Sequence, residues 1–249
     1  MSGHSKWATI KHKKGAADKA RGKLFAKLIR QVEVTAREGG GDLEANATLR
    51  TMYQKARDAS VPLDTIERAI KRGTGDLEGV TYESINYEGY APHGVAVYVE
   101  VLTDNRNRTG SEIRSVFSRA GGSLAEPGAV AWQFDRKGVL VVDGSVDEDE
   151  LMMLALEAGA EDVAAEDETW RVTTEPGDTM LVRDALEAGG VKVTSADLTF
   201  VPQNMIELAT AAEANQVMNI MDALDDHDDV QGVYANFDIP DSVVAELSE

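Results

Sequence analysis

The chain has 249 residues, 43% of them hydrophobic and 28% charged, a globular composition whose length suits two or three domains. It has no cysteine, which excludes a disulfide scaffold, Cys-ligated zinc, iron–sulfur clusters and thiol catalysis and fits a reducing cytosol. The net charge of −19 is unevenly spread: residues 1–75 carry 16 Lys and Arg against 8 Asp and Glu, whereas residues 76–249 carry 9 against 36, so a polyanion can be met at one end only.

Residues 1–14 form a basic arm, with Lys6, Lys11, Lys13 and Lys14 beside His4 and His12 and little apolar content beyond Trp7 and Ile10. No apolar run follows these charges, so a secretory signal is not expected, and the arm reads as mature protein. From about residue 23 a helix is expected. Leu24, Phe25, Leu28, Ile29, Val32 and Ala36 recur at three- and four-residue steps, while Lys19, Lys23, Lys27 and Arg30 fall on another arc. Gly39-Gly40-Gly41 ends it. A second helix is expected over 43–59, with Leu49, Met52 and Ala56 inward. A third starts at Pro62, with Asp64 and Glu67 spaced like a capping box, and stops at Gly73 and Gly75. Residues 1–77 therefore read as a basic three-helix domain.

After residue 79 the texture changes. Strands are expected at 95–102, 130–134 and 139–142, with a helix through Ile113, Val116 and Phe117 ended by Gly121-Gly122. Residues 138–202 then read β-α-β-β-α-β, the split βαβ or ferredoxin-like unit. The flanks, with a short strand at 205–208, a helix at 211–226 and a strand at 230–239, read as a second such unit. The expected class is α+β: an N-terminal three-helix domain (1–77) followed by two ferredoxin-like α/β domains. One of these is discontinuous (78–134 plus 203–249), and the other is inserted in it (135–202).

Nine Lys and Arg against the single acid Asp18 in residues 1–30 make this end the candidate nucleic-acid surface. Its members are Lys6, Trp7, Lys11, His12, Lys13, Lys14, Lys19, Arg21, Lys23, Lys27 and Arg30. Such clusters release counterions when they neutralise phosphates and carry little sequence preference, and Trp7 could stack on a base or fold onto the domain. Arg106 and Arg108, at the start of a helix, are a candidate secondary phosphate contact; the competing reading pairs them with surface acids while Asp104 or Asn105 caps the helix. The acidic run 222–229 reads as a solvated loop rather than a cation site, because it lacks EF-hand spacing. No phosphate-loop, dinucleotide-binding or metalloprotease motif is present, and His4, His12, His93 and His227 lie near no plausible nucleophile. No catalytic residue, metal or cofactor is expected, nor any membrane contact, since no run of about 18 apolar residues exists.

The opening Gly3-His4-Ser5-Lys6-Trp7, then Ile10-Lys11-His12-Lys13-Lys14, Gly39-Gly40-Gly41, Gly73-Thr74-Gly75, Tyr87-Glu88-Gly89-Tyr90 and Thr103-Asp104-Asn105-Arg106-Asn107-Arg108-Thr109, resembles the YebC family. Trp132 and Phe134 fit it too. The family is similar to mitochondrial translational activators of cytochrome oxidase. The resemblance spans the chain and is most specific in its first 110 residues. It implies one helical and two α/β domains, no catalytic residues, and a nucleic-acid-binding regulator of gene expression. In one family reading this is a DNA-binding transcriptional regulatory protein. In the other it is a ribosome-associated translation factor that eases elongation through proline-rich stretches. The expected partner is DNA or ribosomal RNA, met by a cytoplasmic monomer. Lysines contact phosphate more than base edges, which weighs against sequence-specific operator binding by this chain alone.

Overall fold

The computed structural model of the chain describes residues 17–166 and 168–247. Three helices come first: α1 (Ala17–Gly39), α2 (Ala47–Asp58) and α3 (Leu63–Thr74). Helix α1 starts before the first apolar residue of its inner face, because Ala17-Asp18-Lys19-Ala20 already favours a helix. Leu28, Val32 and Ala36 are buried as the spacing predicts, but Leu24 is exposed. Helix α2 begins later than expected. Asn46 caps it by accepting from the Leu49 N–H, and its amide donates to the Thr35 and Gly40 carbonyls. The expected capping box of α3 does not form: Pro62 holds the cap position, and Asp64 pairs instead with Arg68 one turn on.

Gly73 does not stop α3; it lies inside it. A Cβ there would stand 2.3 Å from the Glu33 carbonyl oxygen and 2.8 Å from the Ala36 Cβ, so α1 and α3 meet backbone to backbone. Glu33, 3% exposed, locks this crossing with bonds to Arg72 (2.7 Å) and Arg37 (3.3 Å). Gly75, at φ +88°, supplies the left-handed cap that ends the helix.

The remaining elements are β1 (Glu83–Tyr90), β2 (Ala96–Thr103), α4 (Arg106–Arg119), β3 (Ser123–Leu124), β4 (Phe134–Asp143), α5 (Glu148–Glu157), β5 (Asp162–Glu166), β6 (Thr169–Thr174), α6 (Thr179–Ala188), β7 (Val193–Pro202), β8 (Ile206–Glu207), α7 (Ala211–Asp225), β9 (Val230–Ala235), β10 (Phe237–Asp238) and α8 (Asp241–Leu247). They divide, with the first helices, into two units. Of the described residues, the first unit takes 17–27, 80–135 and 201–247, and the second takes 28–79 and 136–200.

In the second unit the sheet order is β5-β6-β4-β7, with β6 antiparallel to both β4 and β5. Numbered along the βαββαβ run, that is the ferredoxin-like order expected for the insert. Leu140, Val142 and Val172 on the sheet close the core with Leu151 and Ala155 of α5 and Val182 and Leu186 of α6.

The first unit departs from the expected strand assignment. Its sheet order is β3-β1-β2-β9, all antiparallel. The slot expected for the 205–208 strand is filled by β1, which precedes the whole βαβ run, so the ferredoxin-like sheet is permuted. Strand β8 pairs instead with β10 in a separate parallel ribbon. Over 130–134 there is no independent strand: Ala131–Gln133 is a single turn of 3-10 helix, and Phe134 already opens β4. The run Ala96–Thr103 is central and buried nearly throughout, which explains its apolar character; it is interrupted at the half-buried Glu100, which accepts from the Tyr234 hydroxyl at 2.7 Å. Val97, Val99 and Val101 pack on Ile113 and Phe117 of α4 and on Val217, Ile220, Met221 and Leu224 of α7.

Candidate nucleic-acid interface

Lys6, Trp7, Lys11, His12, Lys13 and Lys14 lie outside the described residues, as do the side chains of Lys19 and Arg21. Lys23 and Lys27, one turn apart on α1, are described, and both face the end of α7. The Lys27 Nζ donates to the Asp225 carbonyl (2.8 Å) and carboxylate (3.0 Å). The Lys23 Nζ donates to the Asp226 carbonyl (2.9 Å) and stands 3.7 Å from the Asp228 carboxylate. Asp225 ends α7 and Asp226 caps it. The lysines therefore meet the carbonyls that the helix leaves unbonded at its negative pole, with carboxylates added. Arg30 is half-buried in the second unit.

Arg106 and Arg108 both engage acids. Arg106 reaches Glu83 at 3.1 Å. Arg108 reaches Asp104 at 3.0 Å and Asp229 at 2.6 Å, and these bonds, Asp229's first, raise its pKa further. Asn105, rather than Asp104, caps α4 by accepting from the Arg108 N–H.

The acidic run is not a plain solvated loop, and this corrects the sequence expectation. Asp229 is 6% exposed, and its Oδ2 accepts from Arg108, from Thr109 Oγ1 (2.7 Å) and from Thr103 Oγ1 (3.2 Å). Its N–H donates to His227 Nδ1, so the neutral ring carries its proton on Nε2, 2.8 Å from Glu112 of α4. Three segments that the sequence offered separately thus converge within the first unit. The α1 lysines and the α4 arginine-bearing turn both hold residues 225–229. Thr103, Thr109, Glu112 and Asp229 were missed because composition alone reads an acidic run between a helix and a strand as solvated.

Glu88 on β1 was also missed. It is 6% exposed and accepts three backbone N–H bonds, from Gly128 (2.7 Å), Val130 (2.7 Å) and Ala131 (2.8 Å). Burial works to raise its pKa, but the three donors outweigh it and hold the carboxyl below its ordinary value. The loop it pins presents Trp132, 65% exposed, whose indole N–H bonds the Ala129 carbonyl. Among the described residues no cluster of His, Asp and Glu could hold a metal ion, and no helix is long and apolar enough to cross a membrane.

A lysine-faced helical segment joined to two ferredoxin-like units, one inserted in the other, defines the class of this protein. Profiles of the TACO1/YebC N-terminal domain and of the TACO1/YebC second and third domain match residues 5–76 and 82–237, and the chain belongs to the TACO1/YebC family. It is 56% identical, over an alignment of 252 positions that covers 100% of both chains, to a "probable transcriptional regulatory protein" of Halothermothrix orenii. It is 58% identical, again over the full length of both, to one so named from Rubrobacter xylanophilus. Among solved structures it is similar to the conserved hypothetical protein Aq1575 from Aquifex aeolicus, with a TM-score of 0.80 and 46% identity over 90% of this chain and 93% of that one.

Proposed function

We propose that this protein is a non-catalytic, nucleic-acid-binding regulator of gene expression whose basic N-terminal segment contacts phosphate. The observation that carries the reading is the split charge, net +8 over residues 1–75 and −27 beyond. The names of its relatives, probable transcriptional regulatory proteins, agree with a regulator. We further propose the division into domains 1–77, 78–134 with 203–249, and 135–202, with the first as the binding domain. Lys6, Trp7, Lys11, His12, Lys13, Lys14, Lys19, Arg21, Lys23, Lys27 and Arg30 are its contact set.

A second reading is ribosomal RNA rather than promoter DNA, since phosphate-binding lysines serve either polymer. The lysines of the arm and of α1 bind backbone phosphate with little sequence preference, which weighs against sequence-specific operator binding by this chain alone. Crosslinking the protein to its nucleic acid in cells and sequencing what is bound separates the two. Promoter DNA supports the transcriptional reading, and ribosomal RNA supports the translational one. Recovery of neither class above an uncrosslinked control overturns both.

A further inference from the structure

We propose that residues 225–228 are an internal competitor for nucleic acid, with the carboxylates of Asp225 and Asp228 occupying phosphate positions on α1. This rests on the preceding reading and adds the regulation of the same site. A lysine ammonium meets a carboxylate as it meets a phosphate oxygen, by one short charge-assisted bond. Lys27 makes that bond to Asp225 at 3.0 Å, and Lys23 stands 3.7 Å from Asp228. The spacing of one helical turn presents the two ammoniums as a pair, which suits consecutive anionic groups.

The loop is held for this role from its other side. Asp229 is bonded by Arg108, Thr103 and Thr109, and His227 by Glu112, so the segment remains attached to α4 when its contacts to α1 part. The Lys23–Asp228 pair lies at the surface, with side chains 38% and 77% exposed, where ion pairs are weak and salt-sensitive, whereas Lys27–Asp225 is half-buried; a polyanion carrying many phosphates displaces the outer carboxylate first and then the inner one. The competition is self-limiting. A short or weakly charged ligand does not open the clasp, whereas a continuous phosphate backbone, gripped first by the lysines of the arm, does. The acidic loop thereby raises the threshold for binding and discriminates against isolated phosphates.

The test is a comparison of full-length proteins binding a labelled single-stranded RNA and a labelled duplex DNA of equal length, at low and moderate salt. Asp225→Asn/Asp228→Asn removes the competing charges while leaving the Asp225 and Asp226 carbonyl bonds to the lysines available. It is expected to bind both probes about five- to tenfold more tightly than the parent at low salt. Asp149→Asn/Glu150→Asn, on α5 in the other unit, changes the net charge equally and controls for bulk repulsion; a change under about twofold is expected there. Equal tightening by both variants, or none by the loop variant, overturns the competitor while leaving the functional reading intact, provided the parent binds through its lysines. If neither the parent nor the loop variant binds either probe, the functional reading and the competitor fall together.

Discussion

Lys27 and Asp225 stand 198 residues apart in sequence and meet twice, at a carbonyl (2.8 Å) and at a carboxylate (3.0 Å). One side chain therefore has two duties: it terminates α7 and belongs to the proposed phosphate surface. The arm lysines and the α1 lysines should accordingly respond differently to neutralisation. Lys11→Gln/Lys13→Gln/Lys14→Gln should weaken nucleic-acid binding at unchanged melting temperature. Adding Lys23→Gln and Lys27→Gln should abolish low-salt binding and also lower the melting temperature by a few degrees, about 1 kcal/mol. The slope of log affinity against log salt should shrink by about one for each lysine that had met a phosphate. Normal binding by the fivefold variant would remove the basis of the functional assignment.

Asp229 concentrates three donors on one buried oxygen. Asp229→Ala removes the buried acceptor shared by Arg108, Thr103 and Thr109, while Arg108 keeps Asp104 and Thr109 keeps the Asn105 carbonyl, and should cost about 2 kcal/mol in urea denaturation. Asp229→Asn keeps the shape and should cost less. Equal stability of Asp229→Ala and the parent would mean that the network contributes nothing.

Glu88 makes a pH-dependent contribution whose sign follows from its environment. Its folded pKa lies below the ordinary value of 4.5, so its bonds to Gly128, Val130 and Ala131 add stability above that value and lose it as pH falls through the folded pKa. Glu88→Gln should therefore be less stable than the parent at neutral pH, by about 1–3 kcal/mol, and the gap should close in acid. Melting curves taken across that range read the gap directly; one that stays constant with pH would deny the carboxylate its role. Trp132 fluorescence should shift in the variant, since its loop loses its anchor.

Gly73 predicts a steric effect with no electrostatic component. Gly73→Ala places a methyl group against the Glu33 carbonyl and should destabilise the helical segment by about 2 kcal/mol or more, despite alanine's better helix propensity. A variant as stable as the parent would show that α1 and α3 can separate without loss.

Much of the architecture was legible in the sequence, and the failures have specific causes. The three helices and the βαββαβ insert follow from apolar spacing and glycine stops, because their buried faces are continuous. Strand β1 (Glu83–Tyr90) escaped notice because its alternation is short: Ile85 and Tyr87 alternate with Asn86 and Glu88, and Gly89 then ends the apolar face. Glu88 is buried for its hydrogen bonds, and Gly89 admits the Phe117 ring, which a Cβ would meet at 2.5 Å. Gly73 looked like a stop because a close helix crossing and a helix end call for the same residue. The candidate site was half legible. Charge density marked the lysines, but that they face residues 225–228 depends on contacts nearly two hundred positions away, which no local pattern encodes.

Gln203 donates its backbone N–H to the Gln133 carbonyl at 2.8 Å, and its side chain reaches Asp135 at 3.1 Å. The chain leaves the first unit just after the one residue and returns just before the other, so the excursion begins and ends at a single doorway that the host holds shut by itself. Loop-closure entropy rises only with the logarithm of length, about 0.6 kcal/mol per doubling, so holding this crossing shut costs the first unit little more for a long excursion than for a short one. The residues of the excursion have packing of their own to keep, with Arg183 on Asp58 and Lys55 on Asp197 inside the second unit, so it is that packing and not the closure that limits their size and surface.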